Sequence, residues 1–411
     1  MAIPRDPLES LLRENGRELI QRALAATREH LGMEVVMVSE FTEGNQVVRI
    51  IDGDAISFDL QVAAGLPLNE TYCQRVMEGR LPNVIPDARR ENKVKDLSVT
   101  RAAGIGSYIM APILFSDGRL FGALCGLSHG ANATLTERDA RFMRVMARII
   151  ADQLEREELD AQELRRRTEQ IRRLIRQGEP IVVFQPITDL HTGDVVGAES
   201  LARFSAIPRR KPEVWFAEAV AVGLGLELEM AAILASLASL ERLPPGTYLS
   251  LNVSPDTASS SSFMDAVSKS VPDRIVVEMT EHARVDDYDG LQGAIEELRA
   301  LGVRLAIDDA GAGFASFRHI LRLEPHMIKL DLTLTRAIDK DPVRYALASS
   351  LVTFAESIGA TMIAEGIETE REFHALRDLG VPYGQGDYIA RPGPPPLPRR
   401  LAQPGYSRRH A

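Results

Sequence analysis

Ala306-Ile307-Asp308-Asp309-Ala310-Gly311-Ala312-Gly313 is the stretch from which the larger part of the chain can be read. An apolar run (Val303, Leu305, Ala306, Ile307) stops at two adjacent carboxylates, and Gly311 and Gly313 follow at once. A buried strand that ends in Asp-Asp and turns through glycine would place two acids at the rim of a sheet. Adjacent like charges repel and shift one another's pKa. A hard divalent cation, Mg2+ or Mn2+, relieves that repulsion through oxygen ligands. Taken alone, the same residues also read as a loop with an Asp N-cap and a solvated neighbour. The surrounding chain decides between the two readings.

Around this stretch, from Ile181 onward, short β-rich runs alternate with helical ones. Ile181–Ile187 and Val195–Leu201 read as a pair joined through Thr192-Gly193-Asp194. Further strands are expected at Tyr248–Val253, Arg274–Met279, Val303–Asp308, Met327–Leu332, Thr361–Ala364 and Gly384–Ile389. Helical runs such as Pro212–Val222, Glu229–Leu240, Gly290–Leu301 and Val343–Ile358 separate most of them. Strands alternating with helices at this length predict a (β/α)8 TIM-like barrel. The first connection is too short for a parallel crossover, so one strand should be antiparallel.

A barrel of this kind collects its site at the C-terminal ends of the strands. Those ends carry Glu199, Asn252, Glu278, Asp308 with Asp309, Lys329, Glu365 and Gln385. Any one of them could be a cap or a solvated strand end. Their shared register is hard to obtain from solubility alone. Glu199, Asn252, Glu278, Asp308, Asp309 and Glu365 are oxygen donors suited to one or two Mg2+ or Mn2+ ions. No histidine stands among them, which argues against zinc. Two ions can hold an activated water beside a phosphoryl oxygen. Lys329 could stabilise developing negative charge, Gln385 could orient the water, and Arg203 offers a fork for a phosphate oxygen. Metal-dependent phosphoester hydrolysis is the reaction class implied.

The preceding part of the chain has a different rhythm. A helical run from about Leu8 to Leu31 leads to a strand at Glu34–Phe41 and its hairpin partner from Asn45. Residues 69–78 read as helical, and Ser107–Phe115 with Leu120–Leu127 as a second strand pair turned by Asp117-Gly118. Thr136 is placed to cap a long helix, with Glu137 and Asp139 in its first turn. Together these form one α+β domain. Heptad-like apolar residues mixed with charge carry the helix toward Ile175 as a connector, a pattern that suggests a short dimeric coiled coil, until Gly178-Glu179-Pro180. The expected boundaries are 8–155 for the first domain, 156–178 for the connector, 179–395 for the barrel and 396–411 for a mobile, proline-rich and basic tail.

Composition narrows the partners. The 411 residues carry 48 basic and 58 acidic side chains, for a formal charge of -10, and only 5% are aromatic. That argues against a DNA or RNA polymer as ligand, which calls for a basic surface or stacking platforms. Cys73 and Cys125 are the only cysteines, too few for a disulfide framework, and are expected as reduced, partly buried thiols. The first residues lack an apolar signal core and no apolar run reaches membrane-spanning length, so no membrane insertion and a cytoplasmic location are expected. Trp215 and Phe216 are expected to pack a helix on the barrel exterior.

Two family resemblances follow from these motifs. Thr71-Tyr-Cys-Gln-Arg-Val, Pro82-Asn-Val-Ile-Pro-Asp, Gly106-Ser-Tyr-Ile and Asp117-Gly-Arg-Leu-Phe-Gly-Ala-Leu-Cys resemble the GAF family of small-molecule sensor domains. Glu199-Ser-Leu-Ala-Arg-Phe, Leu251-Asn-Val-Ser, Val277-Glu-Met-Thr-Glu281, Asp308-Asp-Ala-Gly-Ala-Gly, Ile328-Lys-Leu-Asp331, Ala364-Glu-Gly-Ile-Glu-Thr369 and Gly384-Gln-Gly resemble, in order, the motifs of the EAL family. That resemblance implies a bacterial phosphodiesterase that opens cyclic di-GMP to linear pGpG, working as a homodimer under control of a sensor that binds an unidentified small molecule. It implies that Glu199, Asn252, Glu278 and Asp308 hold one metal, and that Asp308, Asp309 and Glu365 serve a second metal or its waters. Lys329 would assist the nucleophilic water and Gln385 position it. Glu281 would anchor the loop after Asp309, Arg203 would touch substrate phosphate, and Asp331 and Glu368 would support Lys329 and Glu365. The loop departs from the family's usual Phe-Gly-Thr-Gly-Tyr-Ser-Ser, reading Ala310-Gly-Ala-Gly-Phe-Ala-Ser316. This change leaves open a receptor that binds cyclic di-GMP without turnover.

Overall fold

The computed structural model describes residues 7–280, 287–310 and 320–401, with side chains described for 16–279, 287–308 and 320–401. It divides into two compact units, residues 1–166 and 167–411. The helix Glu137–Arg176 contains that boundary without interruption. It begins where Thr136 expects it to: the Thr136 hydroxyl accepts from Arg138 N at 3.3 Å and Asp139 Oδ2 accepts from Thr136 N at 2.8 Å. No described helix is long and apolar enough to cross a membrane.

In the first unit, six strands form one sheet: β1 (Val35–Thr42), β2 (Asn45–Gly53), β3 (Gly65–Pro67), β4 (Val84–Ile85), β5 (Ser107–Leu114) and β6 (Leu120–Ser128), in the order β3-β2-β1-β6-β5-β4. All the pairings are antiparallel. The Asp117-Gly118 turn forms as the sequence predicts, with Gly118 at φ +85° and Asp117 Oδ1 accepting from Arg119 N at 2.8 Å. Period-2 alternation splits the apolar residues between two faces. Val36, Val38, Ile109 and Leu124 pack against Ile20, Leu24, Met143 and Ile150 of the long helices. Val35, Met37, Tyr108, Met110 and Cys125 face Tyr72, Cys73 and Val76. The expected helix over 69–78 is a 3-10 turn, Leu68–Glu70, followed by the helix Tyr72–Met77, because Thr71 is extended and caps the second piece through Gln74 N.

The second unit is a closed barrel of β7 (Ile181–Asp189), β8 (Val195–Arg203), β9 (Tyr248–Asn252), β10 (Ile275–Thr280), β11 (Arg304–Ala310), β12 (Met327–Leu330), β13 (Thr361–Ala364) and β14 (Tyr383–Gly384). As expected, one strand runs against the rest: β7 pairs antiparallel with both β8 and β14, and the other pairs are parallel. Helices cover the outside. Trp215, on the outer helix Pro212–Ala221, is fully buried with its ring centroid 5.8 Å from that of Phe204, in line with exterior packing.

Three strand expectations need correction; β12 stops at Leu330 and not Leu332, because Asp331 caps the helix Leu332–Thr335. β11 does not stop at Asp308 but continues through Ala310, with an irregular register against β12 between Ile307 and Ala310. β14 stops at Gly384, well short of Ile389. The chain there is pinned instead to Ile367: Gln385 O accepts from Ile367 N at 3.1 Å and Tyr388 N donates to Ile367 O at 3.0 Å. Of the expected tail, residues up to 401 lie along the β7–β8 turn, where Val195 N donates to Arg399 O and Leu401 N to Gly193 O.

The inside of the barrel is layered. Ile187, Tyr248, Val276, Ala306, Met327 and Ile363 form an apolar floor, with Tyr383 packed against it. Gly197 completes the layer, because a Cβ there would meet the Tyr248 ring at 2.3 Å. Two residues further along each parallel strand, on the same inward face, come Glu199, Ser250, Glu278, Asp308, Lys329, Glu365 and Gln385. The polar set is thus the next layer of the barrel interior.

Candidate active site

Lys329 is the centre of that layer and is completely buried. Its Nζ lies 2.6 Å from Glu365 Oε1, 3.0 Å from Glu278 Oε2, 3.3 Å from Glu199 Oε2 and 3.3 Å from Asp308 Oδ1. Gln385 Nε2 donates to Glu199 Oε2 at 2.6 Å and to Glu365 Oε1 at 2.9 Å. Asn252 Nδ2 donates to the other oxygen of Glu199 at 3.0 Å. Seven residues expected at the site, from seven strands or the residues just beyond them, therefore meet in one hydrogen-bonded cluster.

Burial of charge is tolerable only with partners, and the partners here are unequal. Four carboxylates against one ammonium leave an excess of three negative charges when all are ionised. The consequences differ from acid to acid. Burial pushes Glu278 up to about 8, with Lys329 opposing and Glu199 and Asp308 adding to the rise. Burial also raises Glu365 well above the usual carboxylate range. Glu199 is equally buried, but Lys329, Asn252 and Gln385 outweigh that burial and hold it below its ordinary value. For Lys329, burial favours the neutral form, yet the four carboxylates win and keep it charged.

This donor set fits a hard divalent cation by its chemistry: all oxygen, negatively charged, and only partly neutralised. Glu199, Asn252, Glu278 and Asp308, the residues expected to hold one, all belong to the cluster. In the present arrangement the carboxylates are spread around the Lys329 ammonium. Among the described residues, no three His, Cys, Asp or Glu side chains close together as an ion-ready set. The side chain of Asp309, residue Glu281 and the loop 311–319 lie outside the described residues.

The remaining expected residues fall elsewhere. Arg203, the last residue of β8, is exposed and donates to Ala202 O at 2.9 Å, apart from the cluster. Asp331 does not support Lys329; it caps the helix Leu332–Thr335 by accepting from Thr333 N at 2.8 Å. Glu368 pairs with Arg336 at the surface. Glu365 is held through its backbone instead, where Thr335 Oγ1 donates to Glu365 O.

Two supporting residues escaped the sequence reading. Ser250, fully buried, donates to Glu278 Oε1 at 2.5 Å. Its signal was present: a small hydroxyl between Leu249 and Leu251, two residues before Asn252 and hence on its face. Glu229 accepts from Ser254 N at 2.5 Å, Ser254 Oγ at 2.7 Å and Thr257 Oγ1 at 2.8 Å, and so fixes the turn that follows Asn252. Nothing local in the sequence marked that role.

Comparison with known proteins agrees with this architecture. Residues 168–392 match the sequence model of the EAL domain and residues 15–154 that of the GAF domain. A cyclic di-GMP phosphodiesterase of Pseudomonas aeruginosa is 29% identical over 227 residues, covering 51% of this chain and 38% of that protein. A probable cyclic di-GMP phosphodiesterase of Escherichia coli is 29% identical over 235 residues, covering 54% of this chain and 45% of that protein. The chain thus spans less than half the length of these curated relatives. The crystal structure of the Xanthomonas citri FimX EAL domain in complex with cyclic di-GMP superposes with a TM-score of 0.52 at 19% identity, over 58% of this chain and 97% of that one, a likeness of fold.

Proposed function

The chain belongs to the EAL family, and we propose that its barrel hydrolyses one phosphodiester of cyclic di-GMP to give linear pGpG. The observation that carries this reading is the cluster in which Lys329 and Gln385 tie together Glu199, Glu278, Asp308 and Glu365. The relatives named for this activity support it.

In this proposal Glu199, Asn252, Glu278 and Asp308 hold one Mg2+ or Mn2+, and Asp308 with Asp309 and Glu365 serves a second. When bound, the ions acidify a water and draw charge from the phosphoryl oxygens. The chain's own residues do the rest. Glu365, held by Lys329 and Gln385, would serve the attacking water at the second ion. Gln385 Oε1 is buried without a hydrogen-bond partner, which leaves a fixed acceptor to orient that water. The Lys329 ammonium offsets the negative charge that grows as water adds to phosphorus and the bond from phosphorus to the leaving ribose oxygen breaks. Arg203, exposed at the end of β8, meets a substrate phosphate, and Glu281 anchors the loop after Asp309. The apolar floor closes the barrel below the cluster, so water and substrate enter from the C-terminal end.

Chromatography of products from cyclic di-GMP, with Mg2+ or Mn2+ and with chelator, tests this. Metal-dependent appearance of pGpG is expected. Tight binding with no product would favour the receptor reading, which rests on the altered residues Ala310 and Ala312. We further propose that the GAF unit binds a small molecule and tunes turnover through a homodimer; removal of residues 1–150 should then change kcat, and unchanged kinetics and oligomeric state would exclude that control.

A further inference from the structure

The core of the first unit holds reactive groups that phosphodiester hydrolysis does not use. Cys73, on the helix Tyr72–Met77, and Cys125, in the middle of β6, stand with their Sγ atoms 3.2 Å apart. The expectation of partly buried thiols was too mild: both are buried, because Cys125 lies on a central strand and Cys73 faces it from the covering helix. Tyr108 Oη lies 3.2 Å from Cys73 Sγ and 3.9 Å from Cys125 Sγ. Gln46 and Ser39, joined by a 2.9 Å hydrogen bond, make the neighbouring core polar. Both cysteines are free thiols.

A disulfide needs its sulfurs at about 2.05 Å, so a closure of about 1.2 Å separates this pair from a covalent bond. The two thiols are also unequal. The hydrogen bond from Cys125 holds Cys73 below the ordinary thiol range against the effect of burial, and the same bond pushes Cys125 well up. The partner of lower pKa is the nucleophile of such a pair. Among the described residues no third sulfur, imidazole or carboxylate joins them into a metal-ligand set, which separates the pair from a zinc site. Intracellular disulfides are commonly transient and redox-sensing.

We propose that Cys73 and Cys125 form a two-electron redox site that hydrogen peroxide converts to an intrachain disulfide. The Cys73 sulfur attacks one peroxide oxygen, the O–O bond breaks, and the thiol proton leaves with the departing oxygen as water. The Cys125 sulfur then attacks the Cys73 sulfenic acid. The S–S bond forms, the S–O bond breaks, and the Cys125 proton leaves with the second oxygen as water. Two thiols and one peroxide become one disulfide and two waters. Burial selects an oxidant the size of water and excludes glutathione disulfide. The bond joins the covering helix to the central strand across 52 positions of sequence.

The test uses the full chain, reduced and exposed to hydrogen peroxide, then denatured in alkylating reagent and weighed intact. These two are the chain's only cysteines, so the result is unambiguous. Expected are the loss of both alkylation sites together with two hydrogen masses, a Cys73–Cys125 cross-linked peptide, an unchanged monomer band on a non-reducing gel, and recovery of both thiols with dithiothreitol. Exposure to glutathione disulfide should leave both thiols alkylatable. Two alkylated cysteines after peroxide, added oxygens on either sulfur, a cross-link between chains, or a glutathione adduct would each overturn the proposal. Cys73→Ser should leave Cys125 alkylatable after peroxide; the wild-type masses decide the matter whether or not that variant folds.

Discussion

Replacing Lys329 by Met removes the one cation found among the buried acids in the described residues while nearly conserving side-chain volume. Nζ is fully buried and four carboxylate oxygens lie 2.6–3.3 Å from it. Removing one partner of a buried ion pair costs about 3–5 kcal/mol. In a unit of the size of residues 167–411, with about 2–4 °C per kcal/mol, this predicts a fall in Tm of about 6–20 °C in chelator. The sign of its pH dependence follows from the acids. Glu278 already titrates near 8 because of burial, with Lys329 pulling it down, and Glu365 is raised as well. An acid with a raised folded pKa adds stability below its unfolded pKa and loses it as pH rises through the folded one. Chelated wild type should therefore soften as pH climbs toward and past 8, and the variant should soften more. Lowering the pH toward 5 should shrink the gap between them. Divalent cation at about 100 times Kd should return about 2.7 kcal/mol. Thermal melts by circular dichroism across pH, with chelator and with Mn2+, read all of this. A chelated variant within about 2 °C of wild type at alkaline pH, less than the effect of 1 kcal/mol, would refute the charge argument, as would a gap that widens on acidification.

Other changes probe the same cluster from different sides. Ser250→Ala removes the hydroxyl that orients Glu278 and should weaken divalent-cation affinity by about 10–100-fold; unchanged affinity by calorimetry would show that Glu278 is positioned without it. Gln385→Ala takes away the bridge between Glu199 and Glu365 and should lower kcat by about 100-fold through misplacement of the water, with KM for cyclic di-GMP little changed; a loss confined to KM would place Gln385 in substrate binding. Glu229→Ala leaves Ser254 and Thr257 without their acceptor and should cost about 1–3 kcal/mol in urea unfolding, so an unaltered midpoint would mean that the turn after Asn252 holds itself.

The site was legible because it repeats one register. Tyr248 and Ser250, Val276 and Glu278, Ala306 and Asp308, Met327 and Lys329, Ile363 and Glu365, Tyr383 and Gln385 are each a floor residue followed two places on by a polar one. Strand alternation turns that linear spacing into a ring. Reading the same residues as strand ends was less apt, since Glu199, Glu278 and Lys329 lie within β8, β10 and β12. What linear spacing does not carry is distance across a barrel or a core. Lys329 and Glu199 are separated by 130 positions and meet at 3.3 Å; Cys73 and Cys125 are 52 apart and nearly touch. Asp331 and Glu368 misled for the converse reason: close in sequence to Lys329 and Glu365, they turn to a helix cap and to Arg336. The layering also bears on hydrolysis against binding alone. The floor of Ile187, Tyr248, Val276, Ala306, Met327 and Ile363 shuts water out from below, so Lys329 neutralises the ring from within and any further cation must arrive from the open end. That requirement is the same for an enzyme and for a receptor. The layering alone therefore does not separate turnover from binding, and the product assay with Mg2+ or Mn2+ does.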